Sequence, residues 1–299
     1  MKRARLSKIK EPVIENLFLL FALTSIIILA LIVVFLFKEG LPIFGKVSIK
    51  DFLFGKYWYP TYDPPEFGIL PLIAASILVT LLASVIAVPL GVLSAVYISE
   101  IAGRRIQEIL KPIIELLASL PSVVIGFFGM VVLAPFLQDV FDIATGLNGL
   151  NASLMLALMS VPTISSISED AIHSVPRELR EASLALGATK WETISRVVIP
   201  ASLSGICTAA ILGMSRAIGE TMVVLMVAGG AAAIPESIFD PCRPMPASIA
   251  AEMAEAPFRS YHYHALFATG VVLFVMTLLF NVIADCVSHK YKQVGTATL

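Results

Sequence analysis

Residues 170–200 read "DAIHSVPRELREASLALGATKWETISRVVIP". The segment is too polar to cross a membrane, yet apolar runs flank it on both sides. Ser174 and Pro176 suit a helix start. Leu179, Ala182 and Leu186 fall at i, i+3 and i+7 and form an apolar stripe, with Glu178, Arg180 and Glu181 away from it. Gly187 suits a helix end in the left-handed conformation. Thr189 and Glu192 have the T-x-x-E spacing of a capping box, which starts a second helix running to Pro200. The spacing therefore predicts two short helices broken at a glycine. Physics leaves two readings of such a hairpin: a loop resting on lipid headgroups, or an element that docks on a cytoplasmic partner.

The flanks decide its setting. The 299 residues are 58% hydrophobic and only 14% charged, with a mean hydropathy of +0.89. Soluble domains carry about 25% charged residues. A spanning helix needs roughly 20 mostly apolar residues, and six segments meet or approach this: about 15–37, 69–98, 110–137, 151–168, 201–230 and 264–287. Pro89 and Pro121 interrupt the second and third. The fourth is the weakest, because Pro162 and a Ser/Thr cluster fill its second half. The first run is too long for a signal-peptide core of 7–15 residues, and no small-x-small cleavage site follows it, so it reads as a retained span. Cys207, Cys242 and Cys286 show no CxxC spacing and read as structural. The chain is thus expected to be an all-α polytopic membrane protein.

Basic residues orient it. With the N-terminus inside, the inner segments carry fourteen Lys and Arg and the outer ones six, which puts both termini in the cytoplasm. The organisation expected is a basic start, first span and long outer loop over 1–68, a core over 69–290 with the hairpin at about 170–200, and a tail at 291–299. The outer loop 38–68 is rich in aromatics and reads equally as an interfacial belt or a docking surface. His262 and His264 in the last outer loop are too few to predict a metal, and no metal ligand set is expected.

One basic residue, Arg216, remains within the membrane. It stands in "MSRAIGETMVV", residues 214–224, with Glu220 four positions on. In a continuous helix the two lie about 6 Å apart along one face, so an ion pair is expected. A charge at mid-depth costs about 2.5–3.5 kcal/mol on insertion scales, which points to a use. Gly205, Ala209, Gly213 and Ala217 form a small-residue stripe beside it, suited to close helix approach. Ser76, Thr80 and Ser84 on the second span, Ser122 on the third and Thr163, Ser165 and Ser166 on the fourth supply hydroxyls. They read either as interhelical glue or as a polar path, with Arg216, Glu220, Ser122, Thr80 and Thr163 as candidate path residues.

Several motifs carry a resemblance. The hairpin pattern, with Glu181, Ala182, Gly187, Ile199 and Pro200 in place and Ser183 for the second alanine, resembles the EAA signature of ABC-importer permeases, although its final hydrophobic–Pro spacing is shorter. "ELLASLPSVVIGFFGMVVLAPFLQ" at 115–138 and "SRAIGETMVVLMVAGG" at 215–230 extend the likeness over most of the chain from about Gly68. They resemble the permease subunits of phosphate importers, of the PstC type, with the sister PstA type as the alternative. The resemblance implies a type I importer permease fold in the cytoplasmic membrane of a prokaryote. It implies that Glu181, Ala182, Gly187 and Arg180 couple the chain to an ATPase. The partners implied are a second permease chain, two ATPase chains, an outside phosphate-binding protein and membrane lipid, with no nucleic acid. Other oxoanions, namely sulfate, molybdate and tungstate, remain alternatives as cargo. The chain has no G-x-x-x-x-G-K-[ST] loop, so ATP and magnesium belong to separate subunits, no cofactor is expected here, and the chain is expected not to be an enzyme. A secondary transporter or channel would need no such hairpin. An intramembrane enzyme finds no support in H-E-x-x-H or G-x-S-x-G, neither of which occurs.

Overall fold

The structure, a computed structural model, describes the backbone of residues 2–292 and the side chains of 14–283, 285 and 286. The tail expected at 291–299 lies almost wholly outside the described residues, as do the basic side chains of the first ten positions. Among the described residues, six helical segments are long and apolar enough to span a membrane: Ile14–Gly45, Leu70–Ile101, Ser122–Phe141, Gly149–His173, Lys190–Ile218 and Tyr261–Ile283. They match the six expected in number and order, with corrections to the third and the fifth. The third does not run from 110. Residues 104–118 form a separate amphipathic helix, α4 below, because Pro121 disfavours helical backbone at Leu120 and the chain turns there.

The first span belongs to α1 (Lys2–Gly40). A short connecting segment follows, with α2 (Ile49–Phe54) capped by the Ser48 hydroxyl and a two-stranded hairpin, β1 (Trp58–Tyr59) and β2 (Glu66–Phe67). The remaining helices are α3 (Leu70–Val96), α4 (Arg104–Ala118), α5 (Ser122–Phe128), α6 (Ala134–Phe141), α7 (Gly149–His173), α8 (Arg177–Ala185), α9 (Lys190–Thr193), α10 (Ile199–Ile218), α11 (Met222–Val227), α12 (Met245–Glu252) and α13 (Tyr261–Lys292). Two π-helical turns, Gly129–Leu133 and Ile194–Val198, each lie just before a proline. Pro135 and Pro200 cannot donate to the carbonyls of Val131 and Arg196 four residues back, and their rings crowd them. The wider turn absorbs the misfit without breaking the span.

At the centre stands α7. It has the lowest mean hydropathy of the spans, 1.5, and the largest buried share, 61%; α1 has the highest, 3.2, with none buried. A helix enclosed by protein needs no lipid-compatible surface, so the weakest span by composition is the innermost. Ala75, Val79, Ala83 and Ala87 of α3 share one core with Ala152, Leu156, Met159 and Ile164 of α7 and Ala209 and Ala217 of α10. Close approach rests on small residues. A Cβ on Gly213 would stand 2.5 Å from Ile164 Cγ1, one on Gly91 2.7 Å from Ile164 Cγ2, and one on Gly205 2.3 Å from Ala171 Cβ. The predicted stripe of α10 is therefore the face that seats on α7.

Loop 38–68, expected to lie outside, is not a bare aromatic belt. Ile43, Phe52 and Trp58 are fully buried with Leu72, Met245 and Leu266, making a small cap over the ends of α3 and α13. Glu252 holds it. Its carboxylate accepts from Trp58 Nε1 at 3.0 Å, Arg243 Nη1 at 2.6 Å and Ser248 Oγ at 3.1 Å, and meets His262 Nε2 at 2.8 Å. Burial pushes the Glu252 pKa up, but the bonds from His262 and Trp58, the charge of Arg243 and the Ser248 hydroxyl outweigh it and hold the carboxyl below the ordinary value. The other histidine, His264, meets the Glu39 carbonyl at 2.7 Å. The two histidines serve different partners, and no metal cluster occurs among the described residues.

Two outcomes test this packing. Gly213→Ala lowers the thermal midpoint of the purified protein, with overpacking costing about 1–3 kcal/mol; Ile164→Ala in the same chain recovers part of the loss, and strict additivity of the two changes would contradict the contact. Glu252→Ala removes bonds to charged groups that are each typically about 1.5–3 kcal/mol. Hydrogen exchange should then accelerate over residues 49–67 while the exchange of α7 stays unchanged.

Candidate functional site: a mid-span arginine and a bare-tipped hairpin

The break after α10 sets the first part of the site. Gly219 ends the helix, and 219–221 are non-helical before α11 begins. The predicted continuous fifth span, 201–230, is thus two helices, and the predicted Arg216–Glu220 ion pair does not form. The spacing argument assumed an unbroken helix. Glu220 instead accepts from the backbone amides of Met222 at 3.2 Å and Val223 at 3.5 Å, so its charge serves the exposed N-terminus of α11. Arg216 donates from Nη1 to Thr163 Oγ1 at 3.1 Å. Thr163 lies near the middle of α7, so this contact is at mid-span. Arg216 is exposed on the chain's own surface, and a guanidinium has five donors. Among the described residues one is used, and the exposed side chain stands in a region where lipid cannot satisfy the others.

The remaining candidate path residues are not gathered at Arg216. Thr80 is buried on α3, where its carbonyl accepts the Ser84 hydroxyl, and Ser76 accepts the amide of Met245 at 2.8 Å. That stripe is structural glue. Ser122 starts α5 and is half-buried. Among the described residues, no hydrogen bond links Thr80 or Ser122 to Arg216. A polar contact that the sequence reading missed lies beside it: the Ser215 hydroxyl donates to Asn281 Oδ1 on α13. An amide within the apolar run 264–287 was the available signal.

The second part is the hairpin. Gly187 has φ +86°, and the Thr189–Glu192 capping box is complete, with Glu192 Oε2 2.9 Å from the Thr189 amide. The helix start differs from expectation: Ser174 caps the end of α7, and α8 begins after Pro176. The apolar stripe of α8 is not packed on its own chain. Leu179 is 45% exposed and Leu186 90%, while Leu184 and Trp191 are also open. Glu181, Ala182 and Gly187 are exposed with them. Arg180 turns the other way. It donates to Glu100 Oε1 at 2.8 Å, to the Ile172 carbonyl at 2.9 Å and to the Val175 carbonyl. It therefore roots α8 on the C-terminal end of α7 and on the turn that follows α3, and takes no part in the exposed tip. Beneath it Val96, Ile172, Val175, Ile194 and Val198 form a separate apolar cluster. The hairpin is firmly rooted and bare at its tip.

Residues 87–293 match the family profile of the binding-protein-dependent transport system inner membrane component. The chain is 41% identical over 263 residues to the "Probable ABC transporter permease protein YqgH" of Bacillus subtilis (strain 168), covering 87% of this chain and 85% of that one. It is 38% identical to the phosphate transport system permease protein PstC of Mesorhizobium japonicum, covering 78% and 76%, and 31% identical to the protein of that name in Haemophilus influenzae, covering 94% and 95%. Among solved structures it is similar to a bacterial alginate ABC transporter in complex with an alginate pentasaccharide-bound periplasmic protein, with TM-score 0.62, 15% identity and coverage of 94% and 96%. It is also similar to the inward-facing MetNI methionine ABC transporter, with TM-score 0.56, 21% identity and coverage of 75% and 94%. The chain has the fold of a type I ABC-importer permease, and it belongs to the family of binding-protein-dependent transport system inner membrane components.

Proposed function

We propose that this chain is one permease subunit of an ATP-driven importer that carries inorganic phosphate across the cytoplasmic membrane. The observation that carries the cargo is Arg216, an exposed guanidinium at mid-span whose one hydrogen bond among the described residues is to Thr163. The names of the PstC relatives support the same anion. A guanidinium offers planar, forked donors matched to phosphate oxygens. Because Glu220 is engaged by backbone amides, it does not compete for the guanidinium, and release of the anion depends on the Thr163 hydroxyl taking the guanidinium back. Binding of this kind must stay weak enough for the ion to leave. A second permease chain, of the PstA type, covers the open side of Arg216. Two ATPase chains bind ATP and magnesium and receive the hairpin tip at Glu181, Ala182, Leu184 and Leu186. A phosphate-binding protein delivers the ion on the outer side, and both termini are cytoplasmic.

Phosphate uptake by the reconstituted complex tests the arginine. Arg216→Ala should abolish uptake while the complex still assembles, and Arg216→Lys, which keeps the charge but loses the fork, should retain little. Glu220→Gln keeps an acceptor for the α11 amides and should be mild. Glu220→Ala loses a cap contact of about 0.5–2 kcal/mol and should lower thermal stability. Normal uptake by Arg216→Ala would remove this residue from the path.

The hairpin has its own test. A Cβ at Gly187 would meet nothing within 4 Å, so only the positive φ resists substitution there. Left-handed backbone costs an ordinary residue roughly 1–2 kcal/mol, and more for a β-branched one, whereas Asn tolerates it. Gly187→Asn should keep ATP-driven uptake and Gly187→Val should lose it, with both proteins inserted. Equal transport by the two would mean that the turn geometry is not used in coupling.

A further inference from the structure

A groove of about 460 Å³ runs down the outer surface of the fold between α3 and α13, roofed by α2. Its lining is apolar throughout, with Phe54 at the roof, Leu70, Ile73 and Ile77 along α3, and Met276 and Leu279 along α13. The α3 residues recur at i, i+3 and i+7, so one face of that helix forms one wall. On α13 the lining extends from Val272 to Ile283, about 16 Å of helix at about 1.5 Å per residue. That depth is close to one leaflet of a hydrocarbon core about 30 Å thick. Both walls belong to membrane spans, so the groove opens at hydrocarbon depth. Its roof marks the other limit. Phe54 is 64% exposed and Tyr57 58%, as expected of rings at the headgroup level. Lys50, one turn before Phe54, and Lys56, two residues after it, are exposed, and neither has an ion-pair partner among the described residues. The nearby acid, Asp51, accepts the Ser48 hydroxyl at its carboxylate, and its own backbone amide donates to the same hydroxyl oxygen.

We infer that this groove is a phospholipid site, in which one acyl chain lies between α3 and α13 and the phosphate of the same lipid meets Lys50 and Lys56. Three features fit one occupant. The lining has no group that a polar ligand could use, the depth equals a single leaflet, and the charge at the mouth is opposite to that of a lipid phosphate. The site is on the cap side of the membrane, which is the outer leaflet in the orientation proposed above. It is separate from Arg216 and does not depend on the cargo. Its occupant bridges α3 of the core to α13 beside the apolar cluster that the two helices share with the cap, so the lipid acts as a removable filler between them.

The purified complex in nanodiscs, doped with a phosphatidylglycerol that carries a diazirine in its acyl chain, provides the test. After irradiation, peptide mass spectrometry should place label on Ile73, Ile77, Met276 and Leu279 severalfold above that on the exposed residues 18–31 of α1, and unlabelled phosphatidylglycerol should saturate the excess. Ile73→Trp with Ile77→Phe fills the groove and should reduce its labelling to the α1 level while residues 18–31 label as before. Lys50→Glu with Lys56→Glu should weaken labelling by the anionic probe more than by a zwitterionic phosphatidylcholine probe. Should the filled variant fail to assemble, the saturable pattern in the unaltered protein and the lysine variant decide. Groove labelling no stronger than that of α1 would overturn the site. So would efficient disulfide cross-linking of Ile77→Cys to a second permease chain, which would make the groove a protein interface.

Discussion

The fold depends on how closely α3 and α10 can approach α7. Ile164 is the wedge at that point: it is almost fully buried, and glycines on two different helices, Gly91 and Gly213, leave the room it occupies. Hydrophobic transfer does little to drive helices together within lipid, where the tails are as apolar as leucine, so contact density between backbones takes over. Small residues at matching heights are what make that density possible. The same constraint explains why the least apolar span is the central one. Serines 160, 165 and 168 of α7 are buried by protein and never meet hydrocarbon. Thr163, on the next position to the wedge, is left half-open, and there the chain places its one mid-span arginine contact.

The six spans were legible because each is long and strongly apolar, a signal that needs no tertiary knowledge. The errors lie where a local rule was carried past a break. Arg216 and Glu220 looked paired because a four-residue spacing places them together in an ideal helix. Gly219 ends that helix, and Glu220 finds backbone amides in place of the guanidinium. The third span was read twelve residues too far back for a related reason: the second half of the amphipathic α4 is rich in Ile and Leu, and only the turn before Pro121 separates it from the span. In both places the glycine or proline that decided the matter was visible in the sequence and was given too little weight.

The hairpin shows the same division more finely. Its local chemistry was readable to the residue, since a capping box and a left-handed glycine act within four positions. The direction of Arg180 was not readable. Its partners, Glu100 and the carbonyls of Ile172 and Val175, are fixed only once α3 and α7 are assembled. The outer cap was the least legible part. Trp58 and Glu252 are 194 residues apart in sequence, and nothing near either announces the other. An aromatic-rich outer loop reads as a belt until a buried carboxylate from the far end of the chain is found under it.

These contacts also determine where a push on the hairpin tip can go. On one side, α8 is held by Arg180 to the ends of α3 and α7, so that limb moves with the central pair. On the other, α9 continues through the π turn at 194–198 into α10, and helical backbone is unbroken from Lys190 to Ile218. That rod is about 43 Å long at roughly 1.5 Å per residue, and Arg216 stands in its last turn. A single hydroxyl contact joins Ser183 on the first limb to Thr193 on the second. Two routes therefore lead from the tip to the body, one held to the end of α7 through Arg180 and one continuous with α10, whose glycine face packs on Ile164. The second route ends beside the contact of Arg216 with Thr163. In the proposed importer, the arginine thus stands where the helix leading from the hairpin meets α7, so that a shift of one against the other changes the donors offered to an anion.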